Sequence, residues 1–278
     1  IYVVSADKTF ITLADGTENT LVDGANYVLD EDEEPTATIF SKDDLTLNGT
    51  GSLNITGNYR HAVRSKDDLI IAGGTYVINA VEDALSGKDC LKICDGIFDI
   101  TCGEDALKST NDSEEGRGFV AIDGGDFTIS AGDDAVHAET LMRITAGTVD
   151  VLTCYEGYEG TVVRIDGGST NIVASDDGIN AASGSSSESG MSMGGEGRGD
   201  AGDPGAGAGA VPGDAGVPGG AGAAGDAGAA PGDAPGASEA AGAGASTCKV
   251  VVTGGTTYVS AGGDGIDSNG SVEVSGGV

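Results

Sequence analysis

The chain has 278 residues, 50 of them glycine, and sets 13 Lys and Arg against 45 Asp and Glu for a net charge of −32. That balance excludes a partner held through phosphate contacts, such as DNA or RNA, and with aromatics at 4% and no Trp a sugar-stacking surface is poorly supplied. Function is to be sought in the carboxylates. No run of 18 apolar residues occurs and no basic start precedes an apolar stretch, so this segment is expected to carry neither a membrane span nor a signal peptide.

The first fifty residues are irregular, but Ser41-Lys-Asp-Asp-Leu45 recurs unchanged as Ser65-Lys-Asp-Asp-Leu69 and is echoed by Lys88-Asp-Cys-Leu91. From there a turn ending in glycine follows an apolar strand in Ile71-Ala-Gly-Gly74, Ile93-Cys-Asp-Gly96, Ile122-Asp-Gly-Gly125, Ile144-Thr-Ala-Gly147, Ile165-Asp-Gly-Gly168, Val252-Thr-Gly-Gly255 and Val274-Ser-Gly-Gly277. The last glycines are 22, 29, 22, 21, 87 and 22 residues apart. An acidic residue followed by Ala or Gly runs in phase at Asp83, Asp105, Asp134, Glu156, Asp177 and Asp264, with spacings of 22, 29, 22, 21 and 87. Two unrelated motifs thus keep one period with the same two exceptions, an insertion of about seven residues near Asn111–Arg117 and a long one between Ala182 and Thr247.

Apolar residues alternate within each unit, as in Leu69-x-Ile71 then Tyr76-x-Ile78, and Leu91-x-Ile93 then Phe98-x-Ile100. Period-two alternation in short runs punctuated by Gly predicts strands, with no helical period to compete. A unit of about 22 residues fits one rung of a parallel β-helix, each strand pairing with its equivalent in the next rung. Leu69, Leu91, Val120, Met142, Val163 and Val250 are expected to form one inner row. The predicted domain comprises 1–181 and a continuation at 249–278. The Gly/Ala/Pro-rich stretch 182–248 reads as a solvated loop that cannot bury a core, its glycines at 213, 216, 219, 222, 225 and 228 giving a short collagen-like register. Both ends of the chain fall mid-repeat on apolar residues, which suggests a segment of a longer stack or ends covered by a partner.

Glu82-Asp83, Glu104-Asp105, Asp133-Asp134 and Asp176-Asp177 occupy equivalent positions in successive units, with Glu156 between and Asp264 beyond. Stacked about 5 Å apart, such carboxylates repel by roughly 1 kcal/mol per pair in water and more inside a protein. They require a counter-charge, and hard oxygen donors beside Gly-rich turns suit Ca²⁺ rather than a soft metal. The competing explanation is that Asp favours turns, where it caps the backbone two residues on. A basic ladder of Lys42, Lys66 and Lys88, each followed by Asp, is either a charge-satisfying solvated row or an anion-binding one. The position three after the acidic residue reads Ser86, Lys108, His137, Glu159, Asn180 and Asp267, with Arg64 before them, polar and variable as an outward ligand-facing row would be. Arg64, Lys66, Lys88, Lys108 and His137 are therefore the candidate ligand contacts. Glu82, Asp83, Glu104, Asp105, Asp133, Asp134, Glu156, Asp176, Asp177 and Asp264 are the candidate calcium ligands. Cys90, Cys94, Cys102, Cys154 and Cys248 fit no zinc spacing and read as small apolar residues. Tyr158 shares the row of Leu85, Leu107 and Val136 and is expected in the core.

Thr9-Phe-Ile-Thr-Leu-Ala-Asp-Gly-Thr-Glu-Asn-Thr-Leu21, Ile39-Phe-Ser-Lys-Asp-Asp-Leu-Thr-Leu-Asn-Gly-Thr-Gly-Ser-Leu53, Ser130-Ala-Gly-Asp-Asp-Ala-Val-His-Ala-Glu139, Ser175-Asp-Asp-Gly-Ile-Asn-Ala181 and Asp264-Gly-Ile-Asp-Ser-Asn-Gly270 resemble the bacterial secreted carbohydrate-binding domain-containing proteins. The resemblance covers almost everything outside the long insertion. It implies a right-handed parallel β-helix akin to polysaccharide lyases that binds calcium and acidic polysaccharide. His61 departs from it, standing where the acidic column predicts Asp.

The expected function is calcium-dependent binding of an acidic, pectin-like polysaccharide outside the cell or at its surface, without catalysis. Two alternatives stay open. A polysaccharide lyase would use Lys108 or Lys88 as base beside calcium, and a structural subunit would stack end to end into a fibre or stalk.

Overall fold

The computed structural model describes residues 1–29, 34–183 and 247–278. Most of the predicted loop 182–248, with its collagen-like register, lies outside the described residues. Those described form 24 strands and no helix, so none contains a helix long and apolar enough to cross a membrane. The strands build a sheet of 16 and a sheet of eight.

Every pairing is parallel, and most strands pair with the equivalent strand of the next unit. Cys90–Ile93 lies between Asp68–Ile71 and Phe119–Ile122, with Leu91 opposite both Leu69 and Val120. Leu69, Leu91, Val120, Met142, Val163 and Val250 make one continuous buried row. Each such side chain contributes about 1.5–3 kcal/mol by leaving water. In the smaller sheet Tyr76, Phe98 and Phe127 are consecutive and their rings stack, with centroids 5.2 and 4.5 Å apart. Tyr158 is fully buried among the aliphatic side chains, its hydroxyl 3.2 Å from Thr170 Oγ1. The final glycine of every turn, from Gly74 to Gly277, has φ between 82° and 142°, a region costly for any side chain, which is why the turn residue repeats.

The expected right-handed β-helix of separate rungs is corrected by the larger sheet. Eleven parallel strands sweep 304° round an axis, and the sheet is nearly barrel-shaped. The cause lies in the unit after the short insertion. Val136–Ile144 runs unbroken for nine residues, pairing first with Leu107–Ser109 and then with Phe119–Ile122. Two ladders that the Lys88-Asp89 turn keeps apart two units earlier, and the short insertion one unit earlier, therefore become one curved wall. The path begins at Tyr2–Val3 and ends at Lys8–Leu13, close neighbours in the chain.

None of the five cysteines forms a disulfide, and only Cys94 is exposed. Cys102 pairs with Ala80 and Cys154 with Ala174, so they fill positions that alanine fills elsewhere. Burial is the main cause that pushes the thiols of Cys90, Cys102 and Cys154 up to about 12, which leaves them unreactive at neutral pH.

Candidate functional site

The acidic residues close a turn immediately before a short inward strand, and backbone bonds stack the turns. Ala62 N–H donates to Asp83 O, Ala84 to Asp105 O, Ala106 to Asp134 O, Ala135 to Glu156 O, Gly157 to Asp177 O and Gly178 to Asp264 O. The column predicted from spacing is therefore continuous, with His61 at its head. Within the first three pairs the second residue points in. Asp83, Asp105 and Asp134 are buried, while Glu104 and Asp133 are exposed and Glu82 half-buried.

The second members of the pairs reach the next unit rather than capping their own turn two residues on. Asp83 Oδ1 accepts the Asp105 N–H at 3.4 Å, Asp105 Oδ1 accepts that of Asp134 at 2.9 Å, and Asp177 Oδ1 accepts that of Asp264 at 2.7 Å. His61 does the same with a ring nitrogen, its Nδ1 lying 3.3 Å from the Asp83 amide.

The polar row three residues on is also in register, running Arg64, Ser86, Lys108, His137, Glu159, Asn180 and Asp267. It does not stand free for a ligand, because its cations fold onto the column. Lys108 Nζ lies 2.5 Å from Asp105 Oδ2 and 3.7 Å from Asp83 Oδ1. Arg64 Nη1 lies 2.7 Å from His61 Nε2. His137 Nδ1 lies 3.1 Å from Asp134 Oδ2 and 2.6 Å from Glu159 Oε2, with Glu139 Oε1 3.7 Å from Nε2. Burial alone would lower the Lys108 pKa, but Asp105 and Asp83 reverse the effect and raise it. That is the wrong direction for a lyase base at neutral pH. Burial opposes the charge on His137 too, yet its three carboxylates push it up to about 12. Asp134 is raised, chiefly by burial. Glu159 is lowered, since His137 outweighs the effect of burial.

The column thus carries internal counter-charges at Asp83, Asp105 and Asp134, and fewer further along. Glu156 is driven up to about 7 by burial and by Glu159, Asp177 and Asp176, against the amide of Asn180 at 2.9 Å. Asp176 and Asp177 crowd one spot, since a Cβ on Gly263 would sit 2.7 and 2.5 Å from their Oδ1 atoms. Among the described residues, two groups bring ligand atoms within 4.8 Å of one another: Asp105 with Asp133 and Asp134, and Asp134 with His137 and Glu159. The first offers only hard carboxylate oxygens and fits Ca²⁺, whereas the second includes an imidazole already claimed by protons.

Lys66 and Lys88 lie elsewhere. They follow the short strands His61–Ser65 and Leu85–Gly87, whereas the column precedes them, which separates the two by about 15 Å. Lys66 and Lys42 both bind the buried Glu34 carboxylate, while Lys88 is exposed and makes no ion pair to another described residue. The Asp following each lysine forms a second column of Asp43, Asp67 and Asp89. Asp89 is buried and held by Asn111 Nδ2 at 2.6 Å and by Arg117 from the short insertion.

Sequence reasoning missed a cationic face. Lys92, Arg143 and Arg164 are the outward residues of Leu91-Lys-Ile93, Met142-Arg-Ile144 and Val163-Arg-Ile165, and the same alternation that marked the inner row pointed to them.

The family model for carbohydrate-binding domain-containing proteins matches residues 1–203. The chain belongs to this family. The matched span includes the whole acidic column except Asp264. A carbohydrate-binding domain-containing protein of Acetivibrio thermocellus is 37% identical over 153 residues, 54% of each chain, so this chain spans about half the length of that relative. Among solved structures, a polysaccharide lyase-like protein from C. thermocellum, described as a gadolinium derivative, superposes with a TM-score of 0.52 at 33% identity, covering 61% of this chain and 64% of that one.

Proposed function

We propose that the chain is a calcium-dependent binding module for acidic, pectin-like polysaccharide, acting outside the cell. The observation that carries this reading is the convergence of Asp105, Asp133 and Asp134 within 4.8 Å, with Asp134 buried and its carboxyl driven toward the neutral form. A buried carboxylate under that pressure takes up a proton or a cation, and the donor set is all oxygen.

Asp105, Asp133 and Asp134 would hold the ion, and its two positive charges would offset part of the repulsion that a chain at −32 exerts on a polyanion. The chain's own residues do the rest. Asp105 fixes the Asp134 turn by accepting the Asp134 backbone N–H, while Lys108 and His137 pair with Asp105 and Asp134 themselves.

The test is affinity electrophoresis through polygalacturonate with about 1 mM calcium, a level typical of extracellular modules, and again after chelation. Migration is expected to be retarded with calcium and at least about tenfold less so without it. Equal retardation in both would remove calcium from the function.

A further inference from the structure

Strands Cys90–Ile93, Phe119–Ile122, Val136–Ile144, Tyr158–Ile165 and Lys249–Val252 lie side by side in the larger sheet. At strand spacing this makes a wall about 19 Å across. Its inner side is the Leu91 to Val250 core row. Its outer side has two rows, one running Lys92, Ala121, Arg143, Arg164 and Val251, and the other containing the half-buried apolar side chains Phe119, Leu141 and Val162. With Lys249, the wall holds four of the 13 cations of the chain.

These four cations face three carboxylates. Lys92 Nζ lies 3.2 Å from Asp123 Oδ2 and Lys249 Nζ 2.8 Å from Glu273 Oε2. Both arginines share Asp166. Arg164 grips it with Nε at 2.8 Å and Nη2 at 2.7 Å, while Arg143 reaches it through Nε at 3.3 Å. Arg164, Thr253 and Arg143 hold the Asp166 carboxyl down to about 2, so it stays charged and keeps both guanidinium groups in place. The arginine side chains are 45% and 42% exposed, and Asp166 only 19%. The wall is therefore locally positive on a chain that is otherwise strongly negative. Asp166 engages Nε and Nη2 of Arg164 and Nε of Arg143 and so orients the two groups, whose remaining N–H donors on adjacent strands are the part that a ligand carboxylate would meet.

We propose that this wall is the docking surface for the acidic polysaccharide, with Lys92, Arg143 and Arg164 taking its carboxylates and the Phe119, Leu141 and Val162 row taking the faces of the sugar rings. This rests on the acidic-glycan reading above and adds the surface to it. Charge complementarity decides the occupant. A neutral glycan gains nothing from the guanidinium pair, whereas the regularly spaced carboxylates of an acidic glycan do.

The experiment is affinity electrophoresis with calcium present, through gels containing either polygalacturonate or a neutral β-glucan, on the intact chain and on the variants R143A/R164A and K8A. Lys8 is an exposed cation that pairs with Asp44 away from the wall. Thermal melts check that each variant is folded. The expected result is that R143A/R164A binds polygalacturonate at least tenfold more weakly than the parent while K8A matches it. Should the parent bind polygalacturonate and R143A/R164A bind equally well, the wall is not the docking surface and the acidic-glycan reading stands. Should the parent bind only the neutral glucan, or neither polymer, both fall together.

Discussion

The backbone N–H of Asp134 donates to Oδ1 of Asp105 at 2.9 Å, while Oδ2 of the same carboxylate takes Lys108 Nζ at 2.5 Å. One buried side chain thus ties a unit to the next through one oxygen and balances its own charge through the other. Asparagine can keep the first bond but not the second, and alanine keeps neither. Asp105→Ala is expected to cost about 3–5 kcal/mol, the range for breaking a buried ion pair, and Asp105→Asn roughly half of that, because a hydrogen bond to a charged group contributes about 1.5–3 kcal/mol. Urea unfolding of the two variants measures the difference. Equal losses would mean that the bond across units carries no stability of its own.

His137 gives the fold a pH dependence. Its folded pKa, pushed up to about 12 by Asp134, Glu139 and Glu159 against the effect of burial, lies far above the value of about 6.5 for an unfolded imidazole. The stabilisation is complete below about pH 6.5, where both states carry the proton, and is lost as pH rises from there toward the folded value. Asp134, also raised, acts in the same direction from the carboxylate range upward. His137→Gln should therefore be most destabilised relative to the parent near pH 6, the deficit shrinking by about 1–3 kcal/mol by pH 9. Denaturant midpoints across that range report it. A deficit independent of pH would show that His137 acts by packing alone.

The ring of Phe98 is sandwiched between Tyr76 and Phe127 and is 2% exposed. Phe98→Ala should cost about 3–5 kcal/mol, whereas Ile97→Ala, one residue away on the outer face and 55% exposed, should stay within about 0.5 kcal/mol. Guanidinium melts of the pair test whether the smaller sheet is held by this stack. A Phe98→Ala cost near that of Ile97→Ala would shift the load to the neighbouring isoleucine row.

Much of this architecture is local information. The Leu-x-Ile alternation determines which side chains point inward, and the turn glycines repeat because one backbone position needs positive φ. The in-phase acids determine the column, since a fixed period puts equivalent residues on one line. The same alternation marks Arg143 and Arg164 as outward, although it gives no sign that they share one aspartate.

Tertiary structure decided three things. The first is the curvature. Nothing in the composition of Val136–Ile144 announces that it runs on where the Lys88-Asp89 turn breaks the earlier unit, and that continuity joins the two ladders into a nearly closed wall. The second is the choice of charge partner. Lys66 finds Glu34, 32 residues away, and Lys108 turns onto Asp105 and Asp83 instead of facing a ligand. The third is the gathering of four scattered cations on one face. Period fixes which row a residue occupies, but an ion pair depends on the reach and rotamer of both side chains and on what stands beside them across the stack, and those are set only when the units pack.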